Sequence, residues 1–280
     1  MTDLDTHAHV LEVRRITRDD VTRALRNGLR DFQRAPVYSI AFGAVFTLVG
    51  LALGVLLLNE GASYWLLPLA AGFPLLGPFL AIGLYEISRR IEADEPLAAA
   101  GILTAVFRNP SGQLPLFAVL ALFFFFAWLV IARVIFAVSF GTVAMTNVMT
   151  SADVFLTPNG MIMLAVGSVV GAALAALLFS ISVVGVPLLL DRDVDFVTAI
   201  ITSMRAVLEN QGVMIYWGGF IAVATVVAML PLFLGMILIF PILGHASWHL
   251  YRALVAQQTG MRAASGFDTD QSPAPQPGIS

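Results

Sequence analysis

From Val213 to Gly244 the chain runs for 32 residues without an Asp, Glu, Lys or Arg. One helix of that length would measure about 48 Å, well beyond a bilayer's hydrocarbon core of about 30 Å. Pro231 and Gly235 stand near its middle. The run therefore divides into two crossings, Val213–Leu230 and about Leu234–Val255, joined by a tight turn. Four further stretches are similar. Val37–Leu58 is charge-free, and Trp65–Tyr85 is broken by Pro68, Pro74, Gly77 and Pro78. Leu114 to about Val138 holds one charge, Arg133, and Met161–Leu190 is long enough to tilt. Six membrane spans are expected. With 12% charged residues, against about 25% in soluble domains, the chain is neither a disordered polymer nor a nucleic-acid binder nor an ordinary cytosolic enzyme. It has no Cys, hence no disulfide framework, thiolate nucleophile or Cys-ligated metal.

Arginine placement orients the spans. All 15 basic residues are Arg. Seven of them, Arg14, Arg15, Arg18, Arg23, Arg26, Arg30 and Arg34, precede the first span. Arg89, Arg90 and Arg108 follow the second, Arg192 and Arg205 follow the fourth, and Arg252 and Arg262 close the sixth. With both termini cytosolic, 14 of the 15 fall on one side, as the positive-inside rule requires. A bacterial inner membrane is the expected location. The polar N-terminus predicts no cleavable signal peptide. Tyr38, Tyr85, Tyr216, Trp217, Trp248 and Tyr251 fall at inner boundaries, and Tyr64 and Trp65 at an outer one, which reads as an interfacial aromatic belt. Residues 1–12 and 263–280 are expected to be disordered tails around a membrane domain, 13–262.

Each odd-numbered span follows a short amphipathic segment. Thr17 and Asp20 form a capping box, followed by Val21, Leu25, Leu29 and Phe32 at helical spacing. Asp94-Glu95-Pro96 opens a second segment with Ala99, Leu103 and Val106, and Asp193 and Asp195 a third with Phe196, Ile200, Met204 and Val207. Aligned on Pro36, Pro110 and Gln211, apolar residues recur 11, 7 and 4 positions before each anchor. The expected fold is all-α: a six-span bundle of three repeats, about 17–85, 94–190 and 193–255, each a cytosolic amphipathic helix plus a transmembrane hairpin. Such a helix either lies in the headgroup plane or packs on the other stripes and the span ends. Arg23, Arg26, Arg30 and Arg34 make the first an expected contact for anionic inner-leaflet lipid.

Chemistry-bearing residues are few. No acidic residue lies within an expected span, which weighs against ion-coupled transport. Gly50-x-x-x-Gly54 and Gly167-x-x-x-Gly171 suit close helix contacts, and the broken second span suits either bundle packing or a small site. Arg133, near the outer boundary, either snorkels to headgroups or faces a pathway. His245 and His249 share a helix face at i and i+4. With no third ligand near in sequence, interfacial hydrogen bonding beside Trp248 and Tyr251 is favoured over metal binding. No cofactor and no catalytic residue is expected.

The segment Arg23-x-x-Arg26-Asn27-Gly28-x-x-Asp31-Phe32 with Pro36, and above all Phe240-Pro241-Ile242-Leu243-Gly244-His245-Ala246-Ser247-Trp248-His249-Leu250-Tyr251-Arg252, resembles the bacterial integral membrane family of domain of unknown function 2189, over about residues 12–258. Some members are labelled cytochrome c oxidase subunits. An oxidase core needs haem-ligating His inside its spans, and this chain has none at mid-membrane depth. The layout is also similar to the membrane domain beside some glycerophosphodiester phosphodiesterases. Together these features imply a non-enzymatic scaffold, assembly partner or lipid-organising module, with a membrane protein or a second copy as partner. The alternatives are a passive carrier or channel for a small or lipid-like solute, and a haem- or metal-binding respiratory component. Protein purified in mild detergent should show neither a Soret band nor stoichiometric metal; either signal removes the scaffold reading in favour of the last.

Overall fold

The computed structural model describes residues 12–60, 65–105, 112–141 and 152–255. Arg108, Pro110, Val106, Tyr64, Arg262 and nearly all of both expected disordered tails lie outside these residues. Twelve α-helices are described: α1 Arg18–Arg34, α2 Pro36–Asn59, α3 Leu66–Gly72, α4 Gly77–Leu80, α5 Ile82–Glu92, α6 Ala99–Leu103, α7 Leu114–Phe140, α8 Pro158–Ser182, α9 Gly185–Asp191, α10 Phe196–Glu209, α11 Gln211–Met229 and α12 Met236–Leu254. Among the described residues the only extended pairing is an isolated bridge, Val13 with Val255.

Five stretches are long and apolar enough to cross a membrane: Pro36–Asn59, Leu66–Glu92, Leu114–Phe140, Pro158–Asp191 and Gln211–Met229. These match the first five expected spans within a few residues, except that the second continues past Tyr85 to Glu92 and so includes Glu86. The turn expected at Pro231 is present, with Leu232 and Phe233 at positive φ. Beyond it α12 runs antiparallel to α2: Thr47 donates to the Phe233 carbonyl, Phe46 stacks on Phe240, and Ser39 meets His245. The second half of α12 is too polar for a lipid-facing span, and protein surrounds it. From Phe240 to Tyr251 only Ile242 and His249 escape full burial.

Close backbone approach makes this enclosure feasible. A Cβ on Gly43 would overlap the Ile237 carbonyl, and one on Gly28 would lie 2.5 Å from the Ala246 nitrogen. The break in the second span is closed by aromatic rings. A 3-10 turn, Phe73–Leu76, joins α3 to α4, and Phe73 is buried against Phe46. Trp128 of α7 sits where Cβ atoms on Gly72 and Gly171 would meet it, and its indole N–H donates to the Pro68 carbonyl at 2.8 Å. That bond ties α7 to the broken span. Of the two expected glycine motifs, Gly50 faces Phe73 and Gly171 faces Trp128, whereas Gly167 meets nothing within 4 Å.

At the arginine-rich end, hereafter the charged end, α5, α9 and α12 pack against one another, and one of the expected amphipathic helices lies on each: α6 on α5, α10 on α9, α1 on α12. These three helices bury a face set to one side of the expected stripe. Positions eight residues before the anchors (Gly28, Ile102, Ser203) and five before (Asp31, Ala105, Ala206) are buried. Leu29, Leu103 and Met204, seven before, are exposed. The expected stripes therefore lie at the edge of the buried face: Val21 is buried and Leu25, Phe196, Ile200 and Val207 pack against the core, while small residues make the closest approach to the bundle. The kinks after α1 and α10 are alike, at Ala35 (φ −128°, ψ 51°) and Asn210 (φ −122°, ψ 31°).

Capping follows the expectation at both long helices. Thr17 and Asp20 form a capping box, and Asp195 accepts from the Thr198 amide at 2.9 Å. The Thr198 hydroxyl and amide hold the Asp195 carboxyl below its ordinary range. The middle segment differs. Asp94-Glu95-Pro96 does not open a helix but folds back, Glu95 onto Arg89 and the Pro96 carbonyl onto Arg90, leaving α6 a single turn. Gly43→Ala should destabilise the protein by about 1–3 kcal/mol, since neither backbone can yield. Gly167→Ala, into open space, should stay within about 0.5 kcal/mol. Thermal unfolding in detergent measures both.

Candidate functional site

The second half of α12 carries His245, Trp248, His249, Tyr251 and Arg252 into the meeting point of α1, α2, α5 and α9, and a polar cluster forms around it. His245 is completely buried. Its Nε2 lies 2.9 Å from the Ser39 hydroxyl of α2 and its Nδ1 lies 2.8 Å from the Ser88 hydroxyl of α5. Ser39 donates its only hydroxyl proton to the Ala35 carbonyl at 2.8 Å. With that proton given to Ala35, Ser39 accepts from Nε2–H and Nδ1 accepts from Ser88, the arrangement of a neutral imidazole protonated at Nε2, and the Leu84 carbonyl also lies against the ring. Each of the three side chains is satisfied within the cluster, as burial demands.

One helical turn on, His249 Nε2 meets Asp31 Oδ2 of α1 at 2.7 Å. Asp31 is itself buried, turned toward α12 and away from the exposed arginines of α1. Glu86, also buried, receives Arg89 Nε at 2.7 Å and Arg90 Nε at 2.6 Å. Around the far side of α12, Glu92 of α5 accepts from Trp248 Nε1 at 3.1 Å and from Arg252 at 2.9 Å. Asp191, closing α9, accepts from the Tyr251 hydroxyl at 2.7 Å and from Arg252 at 3.2 Å. The three central helices are thereby joined by charge-assisted bonds, which are stronger than neutral ones. A carboxylate or guanidinium left unpaired here would be costly.

The N-terminal strand is tied down too. Asn210 accepts from the Ile16 amide at 2.8 Å and donates to the Arg14 carbonyl at 3.2 Å, while the Arg14 amide donates to Leu254 at 2.8 Å.

The expected site residues separate into two groups. His245 and His249 share a face but not a partner. Both ring nitrogens of His245 are engaged by serines, so ligating a metal or haem would mean displacing one. Among the described residues no group of three or more His, Asp or Glu is placed to hold a metal. Trp217, Trp248, Tyr251 and Tyr85 are buried in protein, not ranged along the membrane boundary. The aromatic-belt expectation fails for these four because their rings point into the packed interior and not toward headgroups. By contrast, Arg23, Arg26, Arg30 and Arg34 all point outward from α1. Arg23 pairs with Asp20, and Arg26, Arg30 and Arg34 form no ion pair among the described residues. Arg133 is exposed on α7, 19 residues after Leu114, which is about 28 Å along the helix. Ser39 and Ser88 gave no signal in the sequence, and Asp31 stood out only as one of the motif residues that carry the family resemblance. The serines sit in apolar surroundings where a hydroxyl usually bonds its own helix, and Asp31 reads as one acid among arginines.

Residues 66–191, from α3 to α9, match the family described as "Predicted integral membrane protein (DUF2189)", the family its motifs resemble. The match leaves out Phe240–Arg252, the segment that carries most of that resemblance. No curated protein and no solved structure matches the chain.

Removing the Ser88 hydroxyl (Ser88→Ala) strands a buried acceptor on His245 and should cost about 1–3 kcal/mol in thermal unfolding. Ring-nitrogen NMR shifts of His245 in the unaltered protein should report Nε2 protonated and Nδ1 bare. The opposite tautomer contradicts the assignment.

Proposed function

We propose that this protein is a non-enzymatic, multi-pass module of the bacterial inner membrane, with both termini and its charged end in the cytosol, that organises anionic lipid at the inner leaflet. The observation carrying this reading is the division of charge. At the charged end Asp31 and Glu86 are buried and paired, while Arg26, Arg30 and Arg34 stand exposed along one helix. The stretch of α1 from Arg26 to Arg34, with its one acid turned inward, thus presents a cationic face beside the membrane spans. Each such charge near an anionic leaflet contributes about 1 kcal/mol.

Packing favours a scaffold over a carrier. The broken second span is filled by Phe73 and Trp128, and the polar side chains around α12 bond to each other. A second copy or another membrane protein is the partner proposed for the exposed face of α8, where Val169 is 70% exposed.

The test uses full-length protein in nanodiscs. Phosphatidylglycerol should raise its unfolding temperature more than phosphatidylcholine does, and added salt should shrink the difference. The exposed triple substitution Arg26→Gln, Arg30→Gln, Arg34→Gln should abolish the difference while leaving the phosphatidylcholine value unchanged. An equal lipid preference in both proteins contradicts the reading.

A further inference from the structure

Helix α10 is packed inside out for a helix bathed in water. The face it turns to α8 and α9 consists of Ala199, Thr202, Ser203 and Ala206, all buried. Phe196, Ile200 and Val207 pack at the edge of the core, but four other large apolar residues, Val197, Ile201, Met204 and Leu208, form a strip at i, i+4, i+7 and i+11 that points away from the protein, with Leu208 62% exposed. Thr198, Arg205 and Glu209 lie on a separate strip, where Arg205 pairs with Glu209. A water-surrounded helix would bury the large residues and expose the small polar ones.

Two features of the surroundings identify what covers the strip. First, α10 leads through the single residue Asn210 into α11, one of the five membrane-crossing helices. The exposed strip continues at helical spacing into that helix's own exposed apolar face at Ile215, Val223 and Val226. Second, Arg18 stacks on the ring of Tyr216 at 5.3 Å, which sets the polar boundary within two turns of the junction. At 14 residues, about 21 Å, α10 is too short to cross a bilayer.

We infer that α10 is an in-plane anchor whose Val197, Ile201, Met204 and Leu208 strip is embedded at the boundary between headgroups and acyl chains. The occupant of this face is the lipid surface itself, recognised through apolar burial. Lipid charge plays no part, so the anchor stands apart from the arginine face of α1 and holds in a neutral bilayer. Its consequence is a fixed depth: the strip places the charged end at the level of the headgroups and leaves Thr198, Arg205 and Glu209 on the water side.

The absence of native Cys makes the test direct. Val197→Cys, Ile201→Cys, Met204→Cys and Leu208→Cys, with Thr198→Cys and Arg205→Cys as references, are spin-labelled in full-length protein in phosphatidylcholine bilayers. Collision rates are then measured with oxygen, which concentrates in lipid, and with a water-soluble nickel chelate. The four strip positions should show an oxygen-to-nickel ratio several-fold above the two references. Strip ratios equal to the references would place the strip in water and overturn the inference. Strip labels shielded from both reagents and broadened by a neighbouring label would show that another copy covers the face, which overturns it equally. Four independent positions keep the result readable if one variant misfolds, and a neutral bilayer keeps it independent of the anionic-lipid proposal.

Discussion

The contact on which the structure depends is the near-touching of backbones along α12, at Gly43 against Ile237 and at Gly28 against Ala246. Lipid tails are as apolar as leucine, so helices gain nothing from hiding apolar surface from them. Association has to come from dispersion at short range and from hydrogen bonds. Small residues at these two points bring α1 and α2 onto α12, and that enclosure removes water from the second half of the helix. Everything polar there must then be paired internally.

Enclosure explains why the polar cluster is built as it is. A buried His245 with hydroxyls on both nitrogens is a self-satisfied unit, and Glu92, Asp191 and Arg252 tie three helices at the edge of the cluster. These groups hold the charged end in one arrangement. The residues left facing outward, the arginines of α1 and the apolar strip of α10, are free of any role in holding the fold. They are therefore available to meet the surroundings, and the lipid readings rest on them.

Much of this was legible along the chain. Length and absence of charge fix a membrane span almost without reference to neighbours, so five crossing helices, the kink at Pro231, the capping box at Thr17 and the Asp195 cap agree with their local signals. Faces were less legible. The stripe of Val21, Leu25, Leu29 and Phe32 reached the buried face at Val21 and its edge at Leu25, while Leu29 faces outward because, next to lipid, a large apolar residue has no preference for the interior. The small residues Ala24 and Gly28 of α1, and Ala199 and Ala206 of α10, complete the buried faces. For Asp94-Glu95-Pro96 a good helix-start pattern lost to Arg89 and Arg90, which hold it as a loop.

By itself, then, the sequence determined that this chain is an all-helical integral membrane protein, where its spans lie and which end collects its arginines. Each of these follows from the cost of placing charge and unpaired backbone in hydrocarbon, a cost paid residue by residue. Only the tertiary structure decided that α12 is enclosed, that Ser39 and Ser88 clasp His245, that Asp31 turns inward to His249 and that the apolar strip of α10 turns outward. Those outcomes depend on which helices approach within a glycine's width of each other, and that distance is a property of pairs of helices, which no single stretch of sequence contains.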